Sequence, residues 1–249
     1  MTHPFADHFS RIARGYAAFR PRYPAELFAW LARLPAARDL AWDCAAGNGQ
    51  ASVPLAKHFH RVIATDASTG QLASAPPHPG VVYRAAPAAA SGLADRSVDL
   101  VTVAQALHWL EPAAFYDEVR RVARAGGAIA AWTYNLLETG DATIDGTLRH
   151  FHDDVVGPWW PPERRHVEAG YRTLDFPFDE VPAPPFVMRA EWTLGDLVGY
   201  LGTWSASVKY AEETGKDSVQ GIAGALEAQW GSGTRAVTWP LAIRAGRIG

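Results

Sequence analysis

The stretch "LAWDCAAGNGQ" (residues 40–50) decides how the chain is read. An apolar run ends in Asp43, and a loop of Ala, Gly and Asn follows. "QASVPLAKH" (50–58) then has the pattern of a helix, with Pro54 near its first turn, where proline is tolerated. Small residues between a strand and a helix let a ligand come close to the backbone. A P-loop needs Lys and then Ser or Thr after its glycines, but Gln50 and Ala51 follow Gly49. Gly47, Gly49 and Ser52 have the G-x-G-x-x-small spacing of a dinucleotide loop, a weak signal alone. Asp43 turns the argument. It sets a negative charge beside the helix start, where a pyrophosphate would otherwise sit. That is poor electrostatics for a dinucleotide and good electrostatics for a ligand carrying an ammonium or a sulfonium.

Outward from this loop the pattern is regular. "RVIATD" (61–66) is a β-branched strand ending in Asp66, "TGQLASA" (69–75) starts a helix, and "VVYRAA" (81–86) is a third strand. "SVDLVTVAQAL" (97–107) is continuously apolar, as expected of a strand buried on both faces. A helix over 112–125 leads through Gly126 and Gly127 into a strand at 128–135. This alternation predicts an α/β fold: an open, mostly parallel Rossmann-like sheet with helices on both faces. Ligands of such sheets bind outside the carboxyl ends of the strands, so the loops after Asp43, Asp66, Ala86 and Ala104 should share one crevice. Upstream, Phe5 to Leu34 reads as two helical pieces broken at "FRPRYP" (19–24). Downstream, strands at 186–194 and 236–246 should finish the same sheet, the last one antiparallel. Helical stretches around 196–212 and 218–230 should fold over its ligand edge as a cap. The expectation is one domain over residues 1–249. Its cofactor-binding core lies at about 37–135, an N-terminal lid at 1–36, and cap elements with the last strands at 136–249.

Bulk composition narrows the function. Of 249 residues, 48% are hydrophobic and 20% charged, enough apolar material for a sizeable core. A formal net charge of −3 argues against a nucleic-acid partner, which calls for a basic face. One cysteine, Cys44, rules out an internal disulfide framework and suits a reducing, cytoplasmic setting. No run approaches the roughly 18 apolar residues of a membrane span, and no signal peptide is visible. Ten tryptophans, six of them beyond residue 158, suit core packing and also a pocket for a planar or cationic organic ligand.

S-adenosylmethionine fits this set: it has an α-amino group, a sulfonium, a ribose diol and an adenine. Asp43 would act through the loop on the methionine end, Gly47 and Gly49 would allow close approach, and Asp66 could accept both ribose hydroxyls. The plainer role for Asp66 is a turn acid. At this point the sequence resembles the class I S-adenosylmethionine-dependent methyltransferases, most of all their small-molecule, trans-aconitate methyltransferase-like branch. The resemblance rests on "YAAFRPRYP" (16–24), "WDCAAGNGQ" (42–50), "VIATDAS" (62–68), "SVDLVTVAQALHW" (97–109), "RRVARAGG" (120–127), "LVGYLGTWS" (197–205) and "TWPLAIRAG" (238–246). It implies that Tyr16, Arg20, Asp43, Ala45, Gly47, Gly49, Asp66, Ala67, Ala88 and Gln105 form the cofactor site. Two departures stand out. Ala45 replaces the first glycine of the family's loop, and "APAAAS" (86–91), with Ala88 and Ala89, carries no acid near the adenine.

Methyl transfer is an in-line displacement, and its main demand is orientation. "AQALHW" (104–109) follows the fourth strand, which brings Gln105, His108 and Trp109 near the methyl and makes His108 the candidate base or acceptor-orienting group. Arg20 could clamp a carboxylate, and Arg164, Arg165 and His166 of "WWPPERRH" (159–166) a substrate rim. His150 and His152, two apart on a helix, point in different directions, so no metal is expected. The expected partner is a small-molecule methyl acceptor, with no nucleic acid, no membrane and no prediction of oligomeric state. Two alternatives stay open: a protein that binds S-adenosylmethionine for another reaction, and an NAD(P)-dependent oxidoreductase.

Overall fold

The computed structural model describes residues 21–249, so Tyr16, Arg20 and the first of the two N-terminal helical pieces lie outside the described residues. The second piece is α1, Ala25–Leu31, which follows Pro24 and buries Leu27, Phe28, Trp30 and Leu31. The alternating pattern then runs β1 (Leu40–Cys44), α2 (Ser52–Leu55), β2 (Arg61–Asp66), α3 (Thr69–Ala73), β3 (Val81–Ala85) and β4 (Val98–Ala104). A short 3-10 turn, Leu107–Trp109, precedes α4 (Pro112–Val122) and β5 (Ala123–Tyr134). The later elements are α5 (Ala142–His150), a π turn at Phe151–Val155, α6 (Arg164–Glu168), β6 (Asp179–Glu180), β7 (Val187–Trp192), α7 (Leu194–Gly202), α8 (Ser205–Thr214), α9 (Gln220–Trp230) and β8 (Arg235–Arg247).

Among the described residues, seven strands lie in the order β3-β2-β1-β4-β5-β8-β6. The pairs from β3 through β5 are parallel, and β8 runs antiparallel beside β5. Connection direction reverses between β1 and β4, the switch point that opens a crevice at the carboxyl ends. Period-two alternation divides the sheet between two cores. Trp42, Val101, Val103, Ile129 and Ala131 face Phe115, Val119 and Val122 of α4. Ala41, Leu100, Ala130 and Trp132 share the other core with Leu27, Phe28 and Leu31 of α1. A third core, around Phe151, Trp192, Leu197, Leu226, Trp230 and Trp239, belongs to the cap.

Several boundaries depart from expectation, each with a local reason. The helix expected over 50–58 is the four-residue α2. The helix expected over 112–125 stops at Val122, and the chain enters β5 directly. Gly126 and Gly127 sit in an irregularity of that strand rather than before it. Gly126 has φ +74°, and a Cβ on Gly127 would stand 2.9 Å from the Arg124 carbonyl. β4 ends at Ala104 because Gln105 adopts φ +56°. The helical stretch expected at 196–212 divides into α7 and α8 at Thr203 and Trp204. β8 is 13 residues long and changes partners: its second half pairs with β5, and its first half, up to Pro240, pairs with β7. β7 therefore joins through β8 alone, off the main strand order. Among the described residues no helix is long and apolar enough to cross a membrane.

Candidate active site

The loop after β1 is held in left-handed turns at Ala45 (φ +53°), Gly47 (+57°) and Gly49 (+78°). Asp66, at the end of β2, laces this loop to its own: Oδ2 accepts from the Gly47 N–H at 2.8 Å and Oδ1 from the Ser68 N–H at 2.8 Å. Each oxygen keeps a further lone pair. Burial raises the Asp66 carboxyl above the usual range, against the pull of those two N–H groups. The glycines have separate reasons. Among the described residues a Cβ on Gly47 would meet only Gln71 Oε1, at 3.9 Å. A Cβ on Gly49 would fall 2.6 Å from Tyr83 Oη, so that glycine makes room for a tyrosine of β3.

Asp43 lies beneath the loop with no exposed surface. It accepts from Ser52 Oγ at 2.5 Å and Thr102 Oγ1 at 2.8 Å. Burial pushes its carboxyl up to about 6, although the two hydroxyls pull the other way, and nearby Asp66 adds to the rise. Of the other expected contacts, Ala67 is exposed and Ala88 half-buried against the core. The loop carrying Ala88 is tethered from below: Glu118 of α4 accepts from the Ser91 N–H at 2.8 Å and from Ser91 Oγ at 2.5 Å. The segments 43–52 and 66–71 contain two carboxylates, Asp43 and Asp66, with glycines and amides, but no Lys or Arg. That donor set fits an ammonium, a sulfonium and a ribose diol, and it fits a pyrophosphate poorly.

The carboxyl ends of β4 and β5 open beside this crevice into a cavity of about 90 Å³. Gln105 is locked across its floor. Oε1 accepts from the Thr133 hydroxyl and, at 3.1 Å, from the Tyr134 N–H, while Nε2 donates to the Tyr134 carbonyl at 3.0 Å. His108 and Trp109 line the same cavity, their rings 4.4 Å apart. Burial, with the charges of Arg164 and His166, drives His108 down to about 3. From the cap come Trp160, Arg164, Tyr200, Thr203 and Trp204. The Arg164 guanidinium lies 4.4 Å over the Trp160 ring and donates to Asn135 Oδ1 at 2.7 Å. Of the expected rim, Arg164 thus reaches the cavity, whereas Arg165 is exposed and His166 turns to Thr173 at 2.7 Å. The sequence reading missed Ser52 and Thr102 under Asp43, Tyr83 beside Gly49, and Tyr171 beside His108. Ser52 carried a signal, as the small residue of the glycine loop, but the others depend on strand register and on chain 60 residues away. Among the described residues no three His, Cys, Asp or Glu side chains gather to hold a metal.

A family model described as a methyltransferase domain matches residues 42–131, the β1-to-β5 region that carries this crevice. A Dictyostelium discoideum protein named as a methyltransferase is 34% identical over 217 residues, 86% of this chain and 82% of the relative. A Mycobacterium tuberculosis protein named as an uncharacterized methyltransferase is 34% identical over 186 residues, 74% of this chain and 70% of the relative. A solved structure named as a type II methyltransferase from Anaeromyxobacter dehalogenans is 48% identical with a TM-score of 0.87, covering 92% of this chain and 98% of that one. The chain belongs to the class I S-adenosylmethionine-dependent methyltransferases. It is an enzyme, and its cofactor is S-adenosylmethionine. The oxidoreductase alternative falls with this assignment.

Proposed function

We propose that this methyltransferase acts on a small organic molecule, methylating an oxygen, a nitrogen or a carboxylate. The observation that carries the reading is the adjacency of an acid-lined glycine crevice and a compact, aromatic-walled cavity at the same sheet edge. In this reading Asp66 holds the ribose, and Gly47 with the Asp43-supported loop receives the methionine end. Ala45, Gly49 and Ala67 shape the backbone around it, and Ala88 offers an apolar wall to the adenine. Gln105 keeps the β4 and β5 ends in register below. Residues 37–135 form the cofactor core and 136–249 the cap that selects the acceptor. Tyr16 and Arg20, in the 1–36 segment, keep the roles the resemblance implies.

When bound, the cofactor supplies a methyl carbon activated by its sulfonium. What the chain contributes is placement of the acceptor and exclusion of water, worth several kcal/mol by orientation alone. His108, held near 3, is neutral at pH 7 and is assigned as the group that orients the acceptor. The trans-aconitate-like branch suggests an organic acid, and Arg164 in the cavity wall agrees with it.

The test is calorimetric titration with S-adenosylhomocysteine, followed by transfer of labelled methyl from the cofactor to a panel of small organic acids, alcohols and amines. Asp66→Ala should weaken S-adenosylhomocysteine by about 1–3 kcal/mol, the cost of losing charged hydrogen bonds. Unchanged affinity in the folded variant would remove Asp66 from the site. Label appearing only on macromolecules would overturn the small-molecule reading.

A further inference from the structure

The two ring nitrogens of His108 have different surroundings. Nδ1 stands 3.1 Å from the Tyr171 hydroxyl, while Nε2 makes no hydrogen bond among the described residues and is left for the cavity that His108 lines. A neutral imidazole carries its proton on one nitrogen, so the ring either accepts from the phenol at Nδ1 or donates to it. The surroundings of Tyr171 favour the first. Its side chain is fully buried, and a buried hydroxyl that donates to nothing is destabilising. The Leu107 backbone N–H faces the phenol oxygen on its accepting side. Thr133 also faces it, but Nδ1 is the acceptor at hydrogen-bond distance and angle among the described residues.

The backbone aims this phenol at a cost. Tyr171 has φ +62°, directly after Gly170 at +59°, a region that disfavours a side chain. The turn is held by the Tyr171 N–H on the His166 carbonyl at 2.7 Å and by Arg244 Nη1 on the Tyr171 carbonyl at 3.2 Å. Such strain persists where the surrounding contacts over-determine it.

We propose that Tyr171 is a positioning residue: its phenol donates to His108 Nδ1, so that the ring presents Nε2–H to the cavity as a hydrogen-bond donor and not as a base. The proposal rests on the reading that His108 faces the methyl acceptor, and it narrows the acceptor's chemistry. The group at His108 brings a lone pair and has no proton to lose to that nitrogen. Arg164 and His166 face the same ring, and their charges act against its protonation.

The experiment is a long-range proton–nitrogen correlation spectrum of the nitrogen-labelled wild-type protein at neutral pH, with His108→Gln to assign the signals. The expected result is a bare, hydrogen-bonded Nδ1 and a protonated Nε2. A protonated Nδ1, or a doubly protonated ring, overturns the proposal. Tyr171→Phe then tests the donor: a hydrogen bond given to the neutral ring holds its pKa down, so removing it should move His108 upward. A downward or absent change in the folded variant also overturns it. Should that variant not fold, the wild-type tautomer still decides. Adding S-adenosylhomocysteine to the same sample separates the two claims. Failure to bind it would sink the proposed function, while the tautomer is read independently.

Discussion

Asp43 is a fully buried carboxylate whose partners, Ser52 and Thr102, are neutral hydroxyls. Its proton is held more tightly in the folded chain, at about 6, than in the unfolded one, near 3.8. The sign follows: this group's contribution to stability is fully present below about 4, is lost as pH rises through 6, and levels off above. The loss is on the order of 3 kcal/mol. Asp43→Asn should therefore flatten the stability difference between pH 4.5 and pH 7.5, read as urea midpoints of the two proteins. A parallel dependence in both would refute the assignment. Glu118, held down at about 2, changes its contribution mostly below this window, and what remains is common to both proteins and cancels in the comparison. At this scale the sequence was partly legible. The acid at a strand end next to glycines stood out because the strand and loop pattern is local. That it is covered by Thr102, 59 residues on, follows from the β1–β4 register, which no local pattern shows. Gly49 was legible as a glycine and opaque in its reason, because Tyr83 arrives from β3.

Among the elements, α4 does more than cover the sheet. It starts on Glu111, whose carboxylate accepts from the Ala113 and Ala114 N–H groups. Its buried face carries Glu118, which Arg121 pairs at 2.7 Å while Ser91 donates from the loop after β3. The helix thus anchors the 86–91 segment assigned to the adenine. Glu118→Gln keeps the shape and loses the charge, so it should cost about 1–2 kcal/mol of stability. If the loop holds the adenine, it should also weaken S-adenosylhomocysteine several-fold, measured by calorimetry on protein shown to be folded. Full affinity with lowered stability would mean that the tether serves the fold alone. The parallel strands and α4 were legible from apolar runs and turn residues. Their ends were not, because β4, β5 and the α7–α8 break are set by left-handed residues or by packing rather than by propensity.

Across the whole molecule, β8 joins the two regions. Its second half completes the sheet beside β5, and its first half, with β7, enters the cap core at Val237 and Trp239. The cavity lies at that junction, with a floor from β4 and β5 and walls from Trp160, Arg164 and Trp204. The sequence announced the core and left the cap vague. The reason is physical: the cap is built from short helices and aromatic contacts between distant segments, such as Trp160 with Trp204 and Trp192 with Trp239. If core and cap divide the work, substitutions in them should separate. Trp160→Leu removes the ring under Arg164 at a half-buried position, and a cation–π contact of this kind is worth about 0.5–2 kcal/mol. It should raise KM for the acceptors found in the labelled-methyl screen by about tenfold and leave S-adenosylhomocysteine affinity within about twofold. Asp66→Ala should do the reverse, losing cofactor affinity while a saturating cofactor restores acceptor KM. Were Trp160→Leu to weaken cofactor and acceptor equally, the aromatic wall would belong to a single shared site, and acceptor choice would have to be sought outside the cap.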